Sequence, residues 1–468
     1  MKLRNYLRNG IAHQSKPRHR ASVLIIVLWI AFGLVSLALY FGHSMLFEYR
    51  AADNALAEVE ADQTIESAAR YLSYTLTNLV GTGYAMPGVL PPADSYASEE
   101  VTVGAGRFWL ISRSYDNPDL QSDEPSFGLI DEGSKLNLNT ATLEMMEALP
   151  NMTPEIAAAI IDWRDADSDV STNGAEAETY LRLSTPYLPK DGPFESVEEL
   201  RLVLGVTPEL LYGEDFNRNG VLDENENDGD LSPPYDDGNG FLNLGFLNYF
   251  TVYSREFNIR TNGQPRISVN AAVTTNLTGL LQDRFGDGAT DIQAQYAMGG
   301  TNNTSLLQFF ANTGMSIENF ALIEGDLTVS NSPYVDGLVN VNTASAEVLA
   351  CLPGLDPDIA RSIVESRRER LTTDLPTVAW LINVLDTATI QQVGPYITSR
   401  SYQITADIAA VGHMGRGYRR ALLVIDTTEE RPKVIYRRDL SPLGWALGTS
   451  VREQMDTLNA AGGQVAQR

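Results

Sequence analysis

One stretch of the chain departs from all others in its pattern. From Ser22 to Phe41 the sequence reads SVLIIVLWIAFGLVSLALYF, with no charged side chain. At about 1.5 Å of rise per residue, a helix of this length reaches across the roughly 30 Å hydrocarbon core of a bilayer. Beyond it the apolar positions continue, thinned to helical spacing. Ala51, Ala55, Leu56, Val59, Ile65, Ala68, Ala69 and Leu72 lie among Asp53, Glu58, Glu60, Asp62 and Glu66, with no Gly or Pro from Glu48 to Leu79. The pattern predicts one helix that begins in the apolar run and emerges from it; two helices meeting at Gly42 are the alternative.

The Gly- and Pro-rich stretch from Gly81 to Pro92 ends that helix. Val101–Ser114, partly alternating and aromatic, reads as one strand, and Ser126–Asp131 as a second. Alternation returns at Ser401–Ile408, Tyr418–Ile425 and Lys433–Arg437, with Gly412, Gly415 and Gly417 marking a turn. After Met455 the chain is polar and reads as a frayed tail.

Between the two groups of strands the sequence repeats itself. Leu136-Asn-Leu-Asn-Thr-Ala-Thr142 recurs as Val339-Asn-Val-Asn-Thr-Ala-Ser345, Leu149-Pro150 as Leu352-Pro353, and Pro154, Ile156, Ala157 and Ile160 as Pro357, Ile359, Ala360 and Ile363. Each copy predicts a helix capped near Asn139 or Asn342, a tight Leu-Pro turn, and a second helix entered through proline. This is a helix-hairpin-helix pattern. A further helix comes after each copy, at Phe194–Leu200 and Leu375–Leu381, and the first copy carries a longer loop within Asp165–Gly192. Insertions in repeats go to surface loops and often carry function. Asp223–Gly240 is polar. Phe241–Phe257 and Arg266–Ala272 read as short structured pieces, and the latter could open a degenerate third copy. The resulting boundaries are 1–21 for a basic leader, 22–41 for the span, 42–134 for helix and first strands, 135–398 for an inserted helical block with copies at about 136–212 and 339–385, 399–455 for closing strands, and 456–468 for the tail. The class is α+β.

Charge orients the chain. The residues before the apolar run carry Lys2, Arg4, Arg8, Lys16, Arg18 and Arg20 and no acid. Basic flanks stay cytoplasmic, which predicts an N-in, single-pass protein of the inner membrane with its bulk in the periplasm. No small-x-small cleavage site comes after the run, which argues against a removed secretory signal. The net charge is −26 although the leader is basic, so the exported part is strongly acidic. That surface repels nucleic acid and anionic lipid and suits cations or basic partners. A single cysteine, Cys351, allows no internal disulfide and reads as a buried small hydrophobe.

Candidate chemistry is of one kind. Asp215-Phe-Asn-Arg-Asn-Gly220-Val-Leu-Asp-Glu-Asn-Glu226 fits the pattern of a calcium loop. Asp215, Asn217 and Asn219 offer oxygens from alternate positions and Gly220 permits the sharp turn. Val221 would give its carbonyl, Asp223 a direct or water-bridged contact, and Glu226 both carboxylate oxygens. The residues after Glu226 do not read as a helix, so the loop is isolated. A second acidic set, Asp162, Asp165, Asp167, Asp169, Glu176 and Glu178, surrounds the inserted loop and would repel itself without a cation. Enzyme signatures are missing. His13 and His19 are in the leader, His43 lies just past the span and His413 sits in a Gly-rich turn, and no His-Glu-x-x-His, Gly-x-Ser-x-Gly or Walker pattern occurs. The chain reads as non-enzymatic.

A basic leader, an apolar helix that continues as an amphipathic one, and strands after it resemble type IV pilins and type II secretion pseudopilins. The start, Arg20-Ala-Ser-Val-Leu-Ile-Ile-Val-Leu-Trp29, together with Asp191-Gly-Pro-Phe-Glu-Ser-Val-Glu-Glu-Leu-Arg-Leu-Val203 and Gly205-Val-Thr-Pro-Glu-Leu210, is most similar to the type II secretion system protein K family, the large minor pseudopilins. The resemblance covers nearly the whole chain. It implies a pilin-like helix packed on a small antiparallel sheet, interrupted by an all-α domain of helix-hairpin-helix (SAM-like) repeats. It implies cleavage by prepilin peptidase between Ala21 and Ser22, although the family usually has Gly where this chain has Ala21. It also implies Ca2+ in the inserted domain, for which Asp165, Asp167 and Glu176 are the choice here. Mature position five would be Ile26, where pilins usually carry a Glu that pairs with the subunit ahead. A first subunit has none ahead, so the resemblance implies a tip position among the other minor pseudopilins, in protein secretion across the outer membrane. Two other functions fit parts of the pattern. One is a membrane-anchored helix-hairpin-helix DNA receptor, disfavoured by the acidic charge. The other is an exported calcium-dependent adhesin.

Overall fold

The computed structural model describes residues 20–81, 88–113, 124–229, 231–233, 236–368, 376–429 and 431–465. Helix α1 runs from Arg20 to Gly81 without a break at Gly42. The basic leader lies outside the described residues, as do the side chains of Ala21 and Ser22. From Val23 to Ala52 every side chain is exposed, and by length and composition the helix can cross a membrane. From Ala57 onward a stripe is buried, at Ala57, Ala61, Ile65, Ala68, Leu72 and Leu76. Steps of three and four residues keep these side chains on one helix face.

That stripe packs on an antiparallel sheet. Its strands are β1 (Val101–Val103), β2 (Gly106–Ser112), β3 (Ser126–Phe127), β4 (Ile130–Asp131), β5 (Gln403–Val411), β6 (Arg419–Asp426) and β7 (Lys433–Asp439). The order is β1-β2-β5-β6-β7, with β3 paired to β2 and β4 to β5. The predicted strand over Val101–Ser114 is thus a hairpin, and Ser126–Asp131 is two short strands. Side chains alternate between faces along each strand. Phe108 and Leu110 of β2, with Ile404, Ala406, Ile408 and Ala410 of β5, meet α1. Trp109, Ile111, Ala409 and Val411 point the other way. At the β5–β6 turn Gly417 has φ +69, and a Cβ there would lie 2.4 Å from the Ala57 carbonyl oxygen. Only glycine lets the turn approach the helix backbone this closely.

The second face of the sheet is also covered. The polar residues from 456 that read as a frayed tail continue a helix, α2, which spans Gly448–Val465. Val451 and Met455, with Ala446 and Leu447 before them, bury Trp109, Ile111 and Val411. Apolar positions are sparse among the polar residues of α2, which hid the stripe from a reading by composition.

The inserted block is mixed rather than all-α, because short strand pairs close its helical modules. Leu136–Asn137 pairs in parallel with Phe250–Thr251, Ile267–Ser268 with Leu327–Thr328, and Val339–Asn340 with Ile397–Thr398. The same backbone bond extends each pair: Leu138 N–H to Thr251 (2.9 Å), Val269 to Thr328 (2.9 Å), and Val341 to Thr398 (3.0 Å). A fourth pair, Arg255–Phe257 with Tyr334–Asp336, is antiparallel. Strands of two or three residues leave no alternation for a sequence to display.

Each module then runs through helices. In the first and last, Leu143–Glu147 leads to Pro154–Arg164, and Ala346–Ala350 to Pro357–Arg368. Asn151 (φ +61) and Gly354 (φ +84) turn the chain between them; asparagine is the common substitute where glycine is favoured. The caps are Thr142 and Ser345, not Asn139 and Asn342. Asn139 instead holds the Phe194 backbone from both sides, at 3.0 and 2.7 Å. Asn270 holds Asn303 in the same way, both bonds at 2.9 Å. Arg266–Ala272 therefore opens a middle module of the same plan. First and last modules share one core, and the middle one has its own.

Buried carboxylates join block to sheet. Asp131 accepts from Gly133 N–H (2.7 Å), Asn340 Nδ2 (2.8 Å) and Thr343 Oγ1 (2.6 Å). Glu132 accepts from Thr251 Oγ1 (2.5 Å), Thr405 Oγ1 (2.7 Å) and Lys135 Nζ (3.0 Å). Burial pushes the Glu132 carboxyl up, but Lys135 and the two hydroxyls outweigh it and hold it below the ordinary range. A carboxyl with a depressed folded pKa contributes stability that is present above its unfolded value and lost as pH falls through the folded one. Glu132→Gln should therefore lose about 3 kcal/mol at neutral pH, the order expected for breaking a buried pair. The gap from wild type should close below the carboxylate range. Urea unfolding across pH checks both, and a gap that stays constant into acid would refute the ionic role of Glu132.

Candidate metal centres

Two acidic sites lie in the first module, between its closing strands Leu136–Asn137 and Phe250–Thr251. At the first, Asp165 ends the helix Pro154–Arg164 and Glu176 precedes the short helix Ala177–Tyr180. The loop between them brings one carboxylate oxygen each of Asp165, Asp167 and Glu176 within 4.8 Å of one another, the one such acidic, His or Cys group among the described residues. Asp162 lies beneath, fully buried, and accepts from the Ser171 amide at 3.2 and 3.3 Å. A Cβ on Gly174 would fall 2.0 Å from Asp162 Oδ2, so glycine is what lets the loop close over this carboxylate. Glu178 turns away to Arg182, and Asp169 is exposed outside the group.

The electrostatics are unrelieved. Burial, then repulsion from Asp167, Asp162 and Asp191, raises the Asp165 carboxyl; burial, then Asp162, Asp191 and Asp165, raises that of Glu176. Asp165 Oδ1 and Glu176 Oε1 are buried without a hydrogen-bond partner. Unpartnered buried oxygens are costly, and a hard cation with oxygen ligands is what they fit. Sequence reasoning missed Asp191, which stands in a left-handed turn (φ +48) far along the loop. Its one signal was the Asp-Gly pair at the loop's end.

The second site is the Asp215–Glu226 loop. Asp215 accepts from the amides of Asn219 (2.9 Å) and Gly220 (3.0 Å). Glu226 reaches back across the loop to the amides of Phe216 (2.8 Å) and Asp223 (3.1 Å). Asn217 Oδ1 accepts from Asn219 N–H (3.0 Å), and Asn219 Oδ1 from Val221 N–H (2.7 Å). Arg218 (φ +56) and Gly220 (φ +76) are both left-handed, and these two reversals wrap the loop around its acids. Asn217 Nδ2 lies 2.6 Å from Asp223 Oδ2 and Asn219 Nδ2 3.3 Å from it. Burial, then Asp215, pushes the Glu226 carboxyl up to about 7. Asp215 is raised by burial although Arg113 and Arg420 pull against it. The four carboxylate oxygens of Asp215 and Glu226 each accept one amide and keep a lone pair, whereas Asp223 Oδ2 takes both asparagine side chains. It is the Asp215 and Glu226 oxygens that fit a hard cation.

The remaining candidates of the sequence lie apart. His413 is bonded to Glu60 at 2.6 Å. Cys351 is buried, and burial pushes its thiol up to about 12, which leaves it inert.

Residues 134–212 match a family model described as type II secretion system (T2SS), protein K, and residues 339–392 match a second model with the same description. The first match contains the Asp165 site and stops just short of Asp215. The chain is similar to the type II secretion system protein K of Klebsiella pneumoniae, 38% identical over 71 residues that make up 15% of this chain and 22% of that protein. It is similar also to the protein of the same description from Pectobacterium carotovorum subsp. carotovorum, 41% identical over 56 residues, 12% of this chain and 17% of the relative. The chain thus spans about a fifth of the length of the curated relatives it matches. A similar solved structure is the crystal structure of the GspK-GspI-GspJ complex from the enterotoxigenic Escherichia coli type 2 secretion system, at 12% identity and a TM-score of 0.37, over 84% of this chain and 99% of that one.

The raised carboxyl of Asp165 sets a test with a definite sign. In chelator Asp165→Asn should raise the melting temperature, because it removes a charge the fold disfavours. In millimolar calcium the same variant should melt below wild type. Thermal scans in both buffers check this, and a lower melting temperature in chelator would show that the carboxylate already has its partners.

Proposed function

We propose that this chain, which belongs by its two matched segments to the type II secretion system protein K family, is a non-enzymatic minor pseudopilin that holds Ca2+ and works at the tip of the pseudopilus in protein secretion across the outer membrane. α1 anchors it in the inner membrane with the leader cytoplasmic and the bulk of the chain periplasmic. The observation that carries this reading is the helix itself, lipid-compatible and exposed in its first part and buried along one stripe against an antiparallel sheet in its second. That division of one helix between a bilayer and a sheet is what a pilin-like subunit needs.

Ile26 supports the tip position. It is exposed and uncharged where a shaft-forming subunit would carry Glu. A carboxylate in hydrocarbon is costly unless paired, so its absence suits a subunit with none ahead of it. The inserted block supports it too, since a bulge of that size would collide with stacked neighbours along a shaft. The paired helices of the first and last modules, each turned by Leu-Pro-Asn or Leu-Pro-Gly, fit the helix-hairpin-helix pattern, used here for packing: they share one hydrophobic core. The other minor pseudopilins are the partners, and prepilin peptidase removes the leader before Ser22. Calcium is the cation for both acidic sites, because their donors are all oxygens.

Two measurements test the reading. Edman sequencing of the chain purified from membranes should begin at Ser22, and an intact Met1 terminus would remove peptidase processing. Gold-labelled antibody against the inserted block should mark filament ends in electron micrographs. Regular labelling along the shaft would overturn the tip position.

A further inference from the structure

The Asp215–Glu226 loop touches the sheet through its backbone. Arg420, on β6, is fully buried and forms a two-pronged pair with Asp407 of β5, Nε to Oδ1 at 2.7 Å and Nη2 to Oδ2 at 2.6 Å. The same guanidinium donates to the carbonyls of Asn217 and Arg218, the latter at 2.7 Å. Arg113, just past β2, donates to the Arg218 carbonyl at 3.2 Å. Asn217 Nδ2 donates to the carbonyl of Trp445, ahead of α2, at 3.1 Å. The loop residue that receives two arginines is Arg218, which sits in a left-handed conformation unfavourable for a side chain of its size.

We propose that Arg420, oriented by Asp407, is a positioning residue for the cation loop, and that calcium in the loop and docking of the loop on the sheet are therefore one coupled event. The inference rests on the reading of Asp215–Glu226 as a calcium loop and adds what holds it in shape. Three lines support it. A buried ion pair is weak evidence of stability, because apolar residues of similar volume often serve as well. Arg420 has donors to spare beyond Asp407, and they are spent on the two carbonyls where the loop reverses. A flexible loop must be ordered at the moment of binding, and fixing it beforehand strengthens binding. Coupling is reciprocal: if the docked loop binds calcium more tightly, calcium tightens the docking by the same factor.

The test uses the full chain in detergent, carrying Asp165→Asn and Glu176→Gln so that the loop is the remaining proposed site. Calcium titration should give a Kd that weakens about tenfold or more when Asp407→Leu and Arg420→Met replace the ion pair together, the range known for groups that orient metal ligands. The melting temperature in chelator should hold, since the sheet keeps a filled core. An unchanged Kd overturns the proposal. If that pair of substitutions fails to fold, hydrogen exchange on the unaltered chain decides. Calcium in place of chelator should slow exchange in segments 403–426 and 440–447, distant in sequence from the loop, and no difference there overturns the proposal. Calcium uptake indifferent to Asp215→Ala with Glu226→Ala removes the loop reading and this inference with it. Uptake that needs those residues but not Arg420 removes only the inference.

Discussion

The fold depends on β5 finding partners from opposite ends of the chain. All nine of its residues are buried. β2 and β4 precede the inserted block in sequence, β6 comes after it, and β5 pairs with all three. Such a strand cannot be satisfied until the block's two ends return to one place. They do: β4 pairs its Ile130 and Asp131 with Thr405 and Ile404, so entrance and exit lie in one ladder. Loop closure grows only logarithmically, about 0.6 kcal/mol for each doubling of length. A large insertion is therefore tolerable provided that its ends meet, and the ladder at β4 secures that.

Carboxylates occupy two unlike settings around this junction. Asp131, Glu132 and Glu324 are buried, and their oxygens meet hydroxyls, amides or Lys135; Glu324 takes Ser399 at 2.6 Å and the Val378 amide at 3.2 Å. A buried charge so fully bonded fixes geometry, because few other arrangements would satisfy it. Glu176 is equally buried and Asp165 half-buried, and each leaves one enclosed oxygen unbonded. Residue type is the same in both settings, and the bonding separates scaffold from candidate ligand.

The long helix, the outline of the sheet and the family resemblance were legible in the sequence because each rests on a local pattern: an uncharged run, alternation, and phrases such as Asp191–Val203 within the matched residues. The choice of Asp165, Asp167 and Glu176 from an acidic loop rests on the resemblance, which implies calcium in the inserted domain; the structure adds that one carboxylate oxygen of each lies within 4.8 Å of the others. The features that stayed hidden depend on pairings distant in sequence. Two-residue strands such as Leu136–Asn137 carry no period of their own and form only because a module closes on itself. Asn139 looks like a helix cap until Phe194 is known to lie beside it. The role of α2 required knowing that Trp109 and Ile111 face away from α1. Arg420 offers no signal at all in sequence, since an arginine in a strand, here next to Arg419, is ordinarily a solvated side chain.

The parallel pair that closes each module has a consequence for how the chain came to its present size. First and last strands run side by side in the same direction, about 5 Å apart, so a module departs close to its point of arrival. A duplicated segment with this property can be spliced in at a single point without moving what flanks it. The antiparallel ladder between Arg255–Phe257 and Tyr334–Asp336 encloses the whole middle module in this way, as a hairpin encloses its loop. Repeat number is then free to drift over evolutionary time, while the sheet that carries the repeats, with both faces covered and its central strand committed to three partners, is not.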